Sequence, residues 1–260
     1  GIEFVDHENY EKYDEMVAKF VERRAGKVTE EKARELLQDV NYFGTMLVYM
    51  GEVEGLVSGA IHSTGDTVRP ALQIIKTKPG VSRTSGAFIM SRNASRFIFA
   101  DCAINTTIDA QGLAEIAVES AKTAKAFNIN PKVAMLSFST YGSAKTEETL
   151  KVAEATKLVR EKAPTLPVGG EMQFDAAYVP PVAKLKAPNS EIQGDANVFI
   201  FPSLEAGNIG YKIAERLGGF EAVGPILQGL NAPVNDLSRG CSSIDVLKLA
   251  LITAVQALEK

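Results

Sequence analysis

The sequence predicts an α/β protein, because short apolar runs typical of strands alternate with longer amphipathic runs typical of helices. The run 132–138 (Lys-Val-Ala-Met-Leu-Ser-Phe) is almost continuously apolar, as expected of a strand buried on both faces of a parallel sheet. A second such run lies at 198–201, and helical patterns at 109–127 and 145–162 flank the first. The 260 residues and 45% hydrophobic content suffice for one large domain or two modest ones.

The N-terminal part is predicted to be helical first and strand-like later. We predict, in order, a helical region over 9–40 with Thr29 as an N-cap, a strand over 42–49, a polar turn within 58–70 and a strand over 72–75. The turn is predicted because Pro70 favours extended or turn geometry at Arg69.

Further strands are predicted over 87–90 and 96–100, and further helices over 210–217 and 243–258. In the last helix, apolar residues recur at steps of three and four and predict one apolar face, formed by Ile244, Leu247, Leu251, Val255 and Leu258. The pair Pro180-Pro181 excludes one continuous helix in the long segment 169–194.

The composition disfavours several classes of protein. A net charge of −4 disfavours a general nucleic-acid partner, and no apolar run is long enough to span a bilayer. The acidic N-terminus does not have the layout of a signal peptide. Cys102 and Cys241 do not make a disulfide framework and fit a reducing cytoplasm. With His7 and His62 as its only histidines and no Cys/His spacing typical of zinc, the sequence predicts no metal site.

The segment 233–245 (Pro-Val-Asn-Asp-Leu-Ser-Arg-Gly-Cys-Ser-Ser-Ile-Asp) has the clearest chemistry of the chain. It places the Ser238 hydroxyl and the Arg239 guanidinium on a turn just before a predicted helix, whose free N–H groups and dipole favour an anion. Arg239 can hold phosphate through two hydrogen bonds, and Ser238 can donate to a developing oxyanion.

The same segment also has a purely structural explanation. Ser242 or Ser243 would cap the helix, and Asp245 would complement the helix dipole. Arg239 would then pair with Asp236. The residues alone leave both explanations open.

Asp245 is a candidate base, and its pKa is the difficulty. A carboxyl group and a thiol differ in solution by about 4.6 pKa units, or about 6 kcal/mol for complete proton transfer. A nearby Arg239 and a helix N-terminus would widen that gap, so Asp245 needs a pKa raised by burial or a proton removal concerted with attack. Cys241 is a rival nucleophile, but we favour a small packed cysteine there, since no histidine lies near it in the sequence.

A second polar group lies in the predicted turn. Ser63, Thr64 and Thr67 supply hydroxyls, and Arg69 supplies a second guanidinium, although an ordinary surface turn would have the same composition. Lys212 follows the second buried strand, near the edge where open α/β sheets bind ligands. The motifs GxxxxGK[ST] and GxGxxG are absent, so nothing indicates a phosphate-binding loop or an NAD site.

Taken together, these residues resemble the phosphate acetyl/butyryltransferase family, the phosphotransacetylases, along nearly the whole chain. The matching runs, in one order, are 74–82, 99–105, 134–140, 186–190, 198–202 and 233–240. The run Asn-Asp-Leu-Ser-Arg-Gly is more similar to the acetyl than to the butyryl branch.

The resemblance implies two three-layer α/β domains with a cleft between them, the second inserted into the first. The first domain would comprise 1–73 and 226–260, and the inserted domain 74–225. Family members also carry further residues before the point that matches Gly1, and these would supply the opening strands and helices of the first domain.

The resemblance also implies the reversible conversion of acetyl-CoA and phosphate to acetyl phosphate and CoA, by direct attack in a ternary complex. Asp245 would be the base for the CoA thiol, while Ser238 and Arg239 would hold the carbonyl oxygen and the phosphate. The residues expected to bind substrate are Arg69, Arg23, Thr67, Ser63, Thr64 and Lys212. No metal and no tightly bound cofactor are expected, and coenzyme A is expected as a substrate.

We expect the partners to be CoA or acetyl-CoA and phosphate or acetyl phosphate, in cytoplasmic acetate metabolism, with no nucleic acid and no membrane. The chain is expected to form a homodimer. One alternative is transfer of longer acyl groups. Another is a non-catalytic acetyl-CoA-sensing domain, against which the set Ser238, Arg239 and Asp245 argues.

Overall fold

The computed structural model of the chain describes residues 2–258, which form helices and strands in an α/β fold. In chain order the elements are α1 (Tyr13–Arg24), α2 (Glu30–Leu36), α3 (Val40–Met50), β1 (Leu56–Ser58), α4 (Thr64–Ile74), β2 (Ser85–Arg92), β3 (Ser95–Ala100), α5 (Ala110–Ala126), β4 (Val133–Leu136), α6 (Glu147–Lys162), β5 (Val168–Met172), α7 (Phe174–Tyr178), α8 (Pro180–Lys186), β6 (Val198–Ile200), α9 (Leu204–Arg216), β7 (Glu221–Gln228), β8 (Val234–Asp236) and α10 (Ser243–Leu258). No helix among residues 2–258 is long and apolar enough to cross a membrane.

The chain packs as two compact units. One, which we call the terminal unit, comprises the residues up to Pro79 and those from Leu230 onward; the other, the central unit, is Gly80–Gly229. The middle of the chain therefore packs separately from its two ends. The functional domains predicted from the sequence, 1–73 with 226–260 and 74–225, stay a prediction.

The terminal unit has a two-stranded parallel sheet, in which β1 pairs with β8. The register places Ser58 opposite Asp236 at the carboxyl ends of both strands. Helices α3, α4 and α10 pack against these strands, and α1 packs against α3 and α4. The largest fully buried side chains here are Phe20, Met16, Leu37, Met46 and Ile74. Because the strands are parallel, the loops leading to α4 and α10 begin at the same edge of the sheet.

The central unit has a six-stranded sheet in the order β5-β4-β6-β3-β2-β7. The pairs β5–β4, β4–β6 and β6–β3 are parallel, and β2 is antiparallel to both of its neighbours. Alternate residues of β4 enter different cores: Val133 and Met135 pack with α5 and α6, while Ala134 and Leu136 pack with α7, α8 and α9. Helices on both faces explain why this strand reads as a continuous apolar run.

The sequence predictions hold well in the central unit. The strands predicted over 87–90, 96–100, 132–138 and 198–201 and the helices over 109–127, 145–162 and 210–217 are confirmed, with shifts at their ends. Segment 169–194 contains β5, α7 and α8, and the helices separate at Val179, just before the two prolines. In the terminal unit, Thr29 is confirmed as a cap, since its side chain accepts the Lys32 N–H.

Two predicted strands of the terminal unit are wrong. The run 42–49 belongs to α3, whose apolar residues are buried on more than one side and therefore lack a helical stripe. Its start is fixed by Asp39, whose side chain accepts the N–H groups of Asn41 and Tyr42. The run 72–75 is the end of α4 and the residue after it.

The polar turn predicted within 58–70 is also wrong over its second half, because α4 begins at Thr64 and contains Pro70. Ser63 caps this helix, and the side chains of Val68 and Ala71 are buried. A capped start and burial of one face outweigh the cost of a proline inside the helix.

The helix predicted over 243–258 is confirmed as α10, and most of its predicted apolar face is exposed. The residues that α10 buries are Leu249, Ile252 and Thr253. The side chains of Ile244, Leu247, Leu251 and Leu258 are instead more than half exposed. The buried Nδ2 of Asn235 on β8 donates to the Thr253 hydroxyl at 2.8 Å and to Gln256 Oε1 at 2.6 Å, and these bonds fix which face meets the sheet.

Candidate active site

The candidate site of the terminal unit is built on two helix starts that follow the paired strands β1 and β8. Each start is a capping box. At α4, Asp66 Oδ2 accepts the hydroxyl of Ser63 at 2.6 Å and its N–H at 3.3 Å, while Ser63 Oγ accepts the Asp66 N–H. At α10, Asp245 Oδ2 accepts the N–H and the hydroxyl of Ser242, both at 2.8 Å, and Ser242 Oγ accepts the Asp245 N–H. The two helices therefore begin in the same way at one edge of the sheet.

The loop between β8 and α10 carries a solvent-exposed guanidinium and a solvent-exposed hydroxyl. Ser238 and Arg239 are exposed, and no carboxylate among residues 2–258 forms an ion pair with Arg239. The first turn of α10 adds the N–H groups of Ser243 and Ile244, which a helix start leaves without intrahelical partners. A cation, a hydroxyl and helix N–H groups together can hold an anionic oxygen.

Of the purely structural roles predicted for this loop, the helix cap is formed and the ion pair is not. Ser242 does cap α10, and Asp245 does complete the cap. The pairing of Arg239 with Asp236 is not formed, because Asp236 is buried while Arg239 is exposed.

Asp245 does not have the raised pKa that a base for a thiol would need. The hydrogen bonds from the Ser242 N–H and hydroxyl lower the pKa of Asp245, and they outweigh the small effect of burial. The pKa difference between Asp245 and a thiol is therefore larger than in solution. If Asp245 is the base, it can act only by removing the proton in the same step as the attack.

Within residues 2–258, Asp236 is the carboxyl group whose pKa is raised, and it lies two residues before Ser238. Burial raises the pKa of Asp236, and the hydroxyls of Thr64 and Thr67 only partly offset this. These hydroxyls lie outside regular hydrogen-bond geometry, so Asp236 Oδ1 and Thr67 Oγ1 have no partner within residues 2–258. Sequence reasoning did not select Asp236 as a site residue; the one signal was a polar pair, with Asn235, directly after a buried apolar run.

The hydroxyls predicted before Pro70 do come together in the first turn of α4. Ser63 is the cap, Thr64 is exposed and Thr67 is buried. Arg69 is exposed on the same helix, and its charge helps to lower the pKa of Asp66. Since successive helical residues turn by 100°, Arg69 shares a face with Asp66 rather than with Thr67.

Arg23 lies away from this first turn. Its guanidinium donates to the carbonyl oxygens of Ile74 at 2.6 Å and Ile75 at 3.0 Å, and its carbon lies 5.0 Å from the centroid of the Tyr49 ring. These carbonyls are at the carboxyl end of α4, which is about 15 Å from the helix start at 1.5 Å per residue. Arg23 thus caps the carboxyl end of α4 through these hydrogen bonds, and a role of Arg23 in binding substrate stays a prediction.

Lys212 belongs to the other compact unit. It is exposed on α9, and its Nζ lies 5.8 Å from the centroid of the Tyr211 ring. Its part in the site stays a prediction.

The two cysteines are free thiols in different surroundings. Cys102 is fully buried, and burial raises its pKa well above the ordinary value. Cys241 is partly exposed, and its N–H donates to the Ser238 carbonyl at 3.0 Å, which closes the turn that carries Arg239. Among residues 2–258, no three His, Cys, Asp or Glu side chains are grouped so that they could hold a metal ion.

A cation and a hydroxyl at a helix start on the edge of an α/β sheet are an arrangement that can bind an anionic group. The chain belongs to the phosphate acetyl/butaryl transferase family, whose model matches residues 1–254. It is therefore a transferase.

Individual relatives agree with this assignment. The chain is 69% identical to a phosphate acetyltransferase of Bacillus subtilis over 258 residues, which is 99% of this chain and 80% of that protein. Among solved structures it matches a phosphotransacetylase from Staphylococcus aureus with 66% identity and a TM-score of 0.93, over 99% of this chain and 79% of that one. A phosphotransacetylase from Streptococcus pyogenes matches with 61% identity and a TM-score of 0.96, over 98% and 78% of the two chains.

Proposed function

We propose that this protein transfers an acetyl group reversibly between coenzyme A and inorganic phosphate. Family membership and the names of its close relatives support this reaction. The observation in the structure that favours it most is the exposed guanidinium of Arg239 beside Ser238 at the start of α10, which has no ion-pair partner within residues 2–258. Both substrates carry phosphate, and a fixed guanidinium with helix N–H groups is suited to that charge.

In the proposed reaction a phosphate oxygen attacks the carbonyl carbon of acetyl-CoA, and the bond from carbon to sulfur breaks to release CoA. In reverse, the CoA thiol loses its proton as its sulfur attacks the carbonyl carbon of acetyl phosphate, and phosphate leaves. Arg239 would hold the phosphate, and Ser238 would donate to the carbonyl oxygen as it gains negative charge. Transfer is direct in a ternary complex, so catalysis depends on positioning and on oxyanion stabilisation.

Asp245 is proposed as the acceptor of the thiol proton only within a concerted step. Its low pKa excludes it as the holder of a proton in a separate preceding step at neutral pH. In a concerted step the thiol proton becomes acidic as the new bond to carbon forms, so the pKa gap narrows along the reaction.

The remaining substrate-binding residues are proposed by family resemblance, and they are Arg69, Arg23, Thr67, Ser63, Thr64 and Lys212. The first turn of α4 supports the three hydroxyls, because they lie at the same sheet edge as the Ser238 loop. An active site in a cleft between two domains, with the second domain over 74–225, is part of this proposal.

Location and assembly are proposals as well. We propose a cytoplasmic location, since acetyl-CoA is made inside cells and both cysteines are free thiols. We also propose that the chain forms a homodimer. Sedimentation equilibrium of the purified chain measures the dimer directly, and a monomer at micromolar concentration would contradict it.

The substitution Arg239→Gln tests the function. We expect turnover in CoA-dependent acetyl phosphate synthesis to fall by more than about 100-fold, the scale of a lost oxyanion-site donor. The melting temperature should stay unchanged, because Arg239 is exposed and has no ion-pair partner within residues 2–258. Arg96→Gln is the matched control, since Arg96 is an exposed arginine at the start of β3 and should keep normal turnover.

The outcomes separate the alternatives. Near-normal turnover of Arg239→Gln would contradict the assignment of this site. Equal or faster turnover of butyryl-CoA would favour a longer-chain phosphate acyltransferase. Calorimetric binding of CoA by the unmodified chain with no acetyl exchange would favour a sensing domain.

A further inference from the structure

The clearest unexplained group in the described chain is the buried carboxyl of Asp236. A comparison within the same protein shows what is unusual about it. Asp101, at the end of β3, is 3% exposed, and its two oxygens accept hydrogen bonds from four backbone N–H groups and the Asn105 side chain. Asp236, at the end of β8, is 1% exposed, yet its Oδ1 has no hydrogen-bond partner within residues 2–258. Asp101 therefore stabilises its surroundings, while the desolvation cost of Asp236 is only partly offset by the hydroxyls of Thr64 and Thr67.

Asp236 contacts the segment that leads to α4 and is followed directly by the loop that leads to α10, so it connects the two helix starts of the candidate site. Its side chain lies against Gly59, because a Cβ built on that glycine would come 2.1 Å from Asp236 Oδ1. Gly59 follows β1 and leads to α4, whose Thr64 and Thr67 are the hydroxyl residues beside the carboxyl. On the other side, the N–H of Leu237 donates to the Ser58 carbonyl at 2.7 Å, and Ser238 follows directly.

We propose that Asp236 is a positioning residue for the transfer site, which orients the hydroxyls of Thr64 and Thr67 and fixes the loop that carries Ser238 and Arg239 against the first turn of α4. This proposal rests on the proposed acetyl transfer. Asp236 is 1% exposed, so it acts on substrate through the exposed residues that it positions, namely Thr64, Ser238 and Arg239.

The chemical reason is the direction of the hydrogen bonds. An ionised carboxylate only accepts, so hydroxyls that approach it must donate to it and present their lone pairs elsewhere. An amide in the same place can donate to Thr67 Oγ1 and reverse that direction. The carboxylate therefore sets which way the hydroxyls of the first turn point, and an isosteric amide does not.

The test is Asp236→Asn in the full chain, with Asp101→Asn as the matched control. We expect Asp236→Asn to lower kcat by about 10- to 100-fold, the scale of a misplaced catalytic group, with a smaller change in KM. Its melting temperature should equal or exceed that of the unmodified protein, because a buried unpaired charge is removed. Asp101→Asn should instead lower the melting temperature, because it weakens a satisfied network.

The pH dependence of stability checks the surroundings of Asp236, whereas the fall in kcat without a matching change in KM is the readout that a purely structural role would not produce. Because burial raises the pKa of Asp236, the folded state holds this proton more tightly than the unfolded state does. The carboxyl therefore costs stability as the pH rises through its raised pKa, and that cost disappears below the ordinary value of 3.8. The stability gain of Asp236→Asn should accordingly be present at neutral pH and shrink in acid.

A second variant, Thr67→Val, removes the buried hydroxyl without changing side-chain shape. We expect its loss of kcat and that of Asp236→Asn not to add in the double variant, because both act through the same contact. Wild-type kcat in Asp236→Asn would overturn the proposal, and so would a fall in its melting temperature as large as that of Asp101→Asn, or a failure to fold. Additive losses in the double variant would also overturn it. Absence of acetyl transfer in the unmodified chain would instead refute the proposed function, and this proposal with it.

Discussion

Replacing Asp245 with asparagine separates the two roles that its carboxylate has, the helix cap and the proposed proton acceptor. Both hydrogen bonds from Ser242 reach a single oxygen, Asp245 Oδ2, and the amide oxygen of asparagine can accept both. Only the charge is lost, so we expect the free energy of unfolding to fall by about 1 kcal/mol, or about 2–4 °C in melting temperature. If Asp245 accepts the thiol proton, kcat for acetyl-CoA formation should fall by about 10²- to 10⁴-fold.

The chain contains its own control for this substitution. Asp66 closes the capping box of α4 in the same manner, with both bonds from Ser63 reaching its Oδ2. We expect Asp66→Asn to lower the melting temperature by a similar amount while kcat stays within about tenfold of the unmodified protein. Equal loss of kcat in the two variants would refute a special role of Asp245 in proton transfer.

The pH dependence of stability gives a further check on the same pair. Hydrogen bonds lower the pKa of Asp245 and of Asp66, so both carboxylates contribute stability above their ordinary value of 3.8. That contribution is lost as the pH falls through the lowered pKa. The melting temperatures of either Asn variant and the unmodified protein should therefore converge in strong acid, and a difference that persists there would contradict the assigned cause.

Three further predictions concern Gly59 and the two cysteines. Gly59→Ala should lower the free energy of unfolding, measured with denaturant, by about 2–5 kcal/mol. The reason is that φ of Gly59 is +101° and that a Cβ there would lie 2.1 Å from Asp236 Oδ1 and 2.7 Å from Leu237 N. An unchanged free energy of unfolding would contradict this packing. Cys241→Ala should keep kcat within about threefold, with no acetyl label trapped on the unmodified protein from acetyl-CoA alone. A thiol reagent should modify Cys241 before Cys102, which is buried with a raised pKa.

Local patterns determined the parts of the fold whose cause is local. A helix cap involves residues only three positions apart, so Thr29 was predicted correctly from the sequence, and Ser242 was among the caps considered. The strand over 132–138 was predicted because burial on both faces leaves a continuous apolar run. The same rule failed for α3, because a helix buried on more than one side also loses its apolar stripe.

The sequence by itself determined the α/β class, most of the central unit, and the Ser238-Arg239 turn as the centre of chemical interest. Only the tertiary structure decided that Arg239 has no ion-pair partner within residues 2–258, that Asp245 has a lowered pKa, and that Asp236 is buried with a raised pKa. The physical reason is that burial of Asp236 depends on the pairing of β1 with β8, which come from opposite ends of the chain. No local pattern encodes such a contact, and it is this contact that sets the electrostatics of the candidate site.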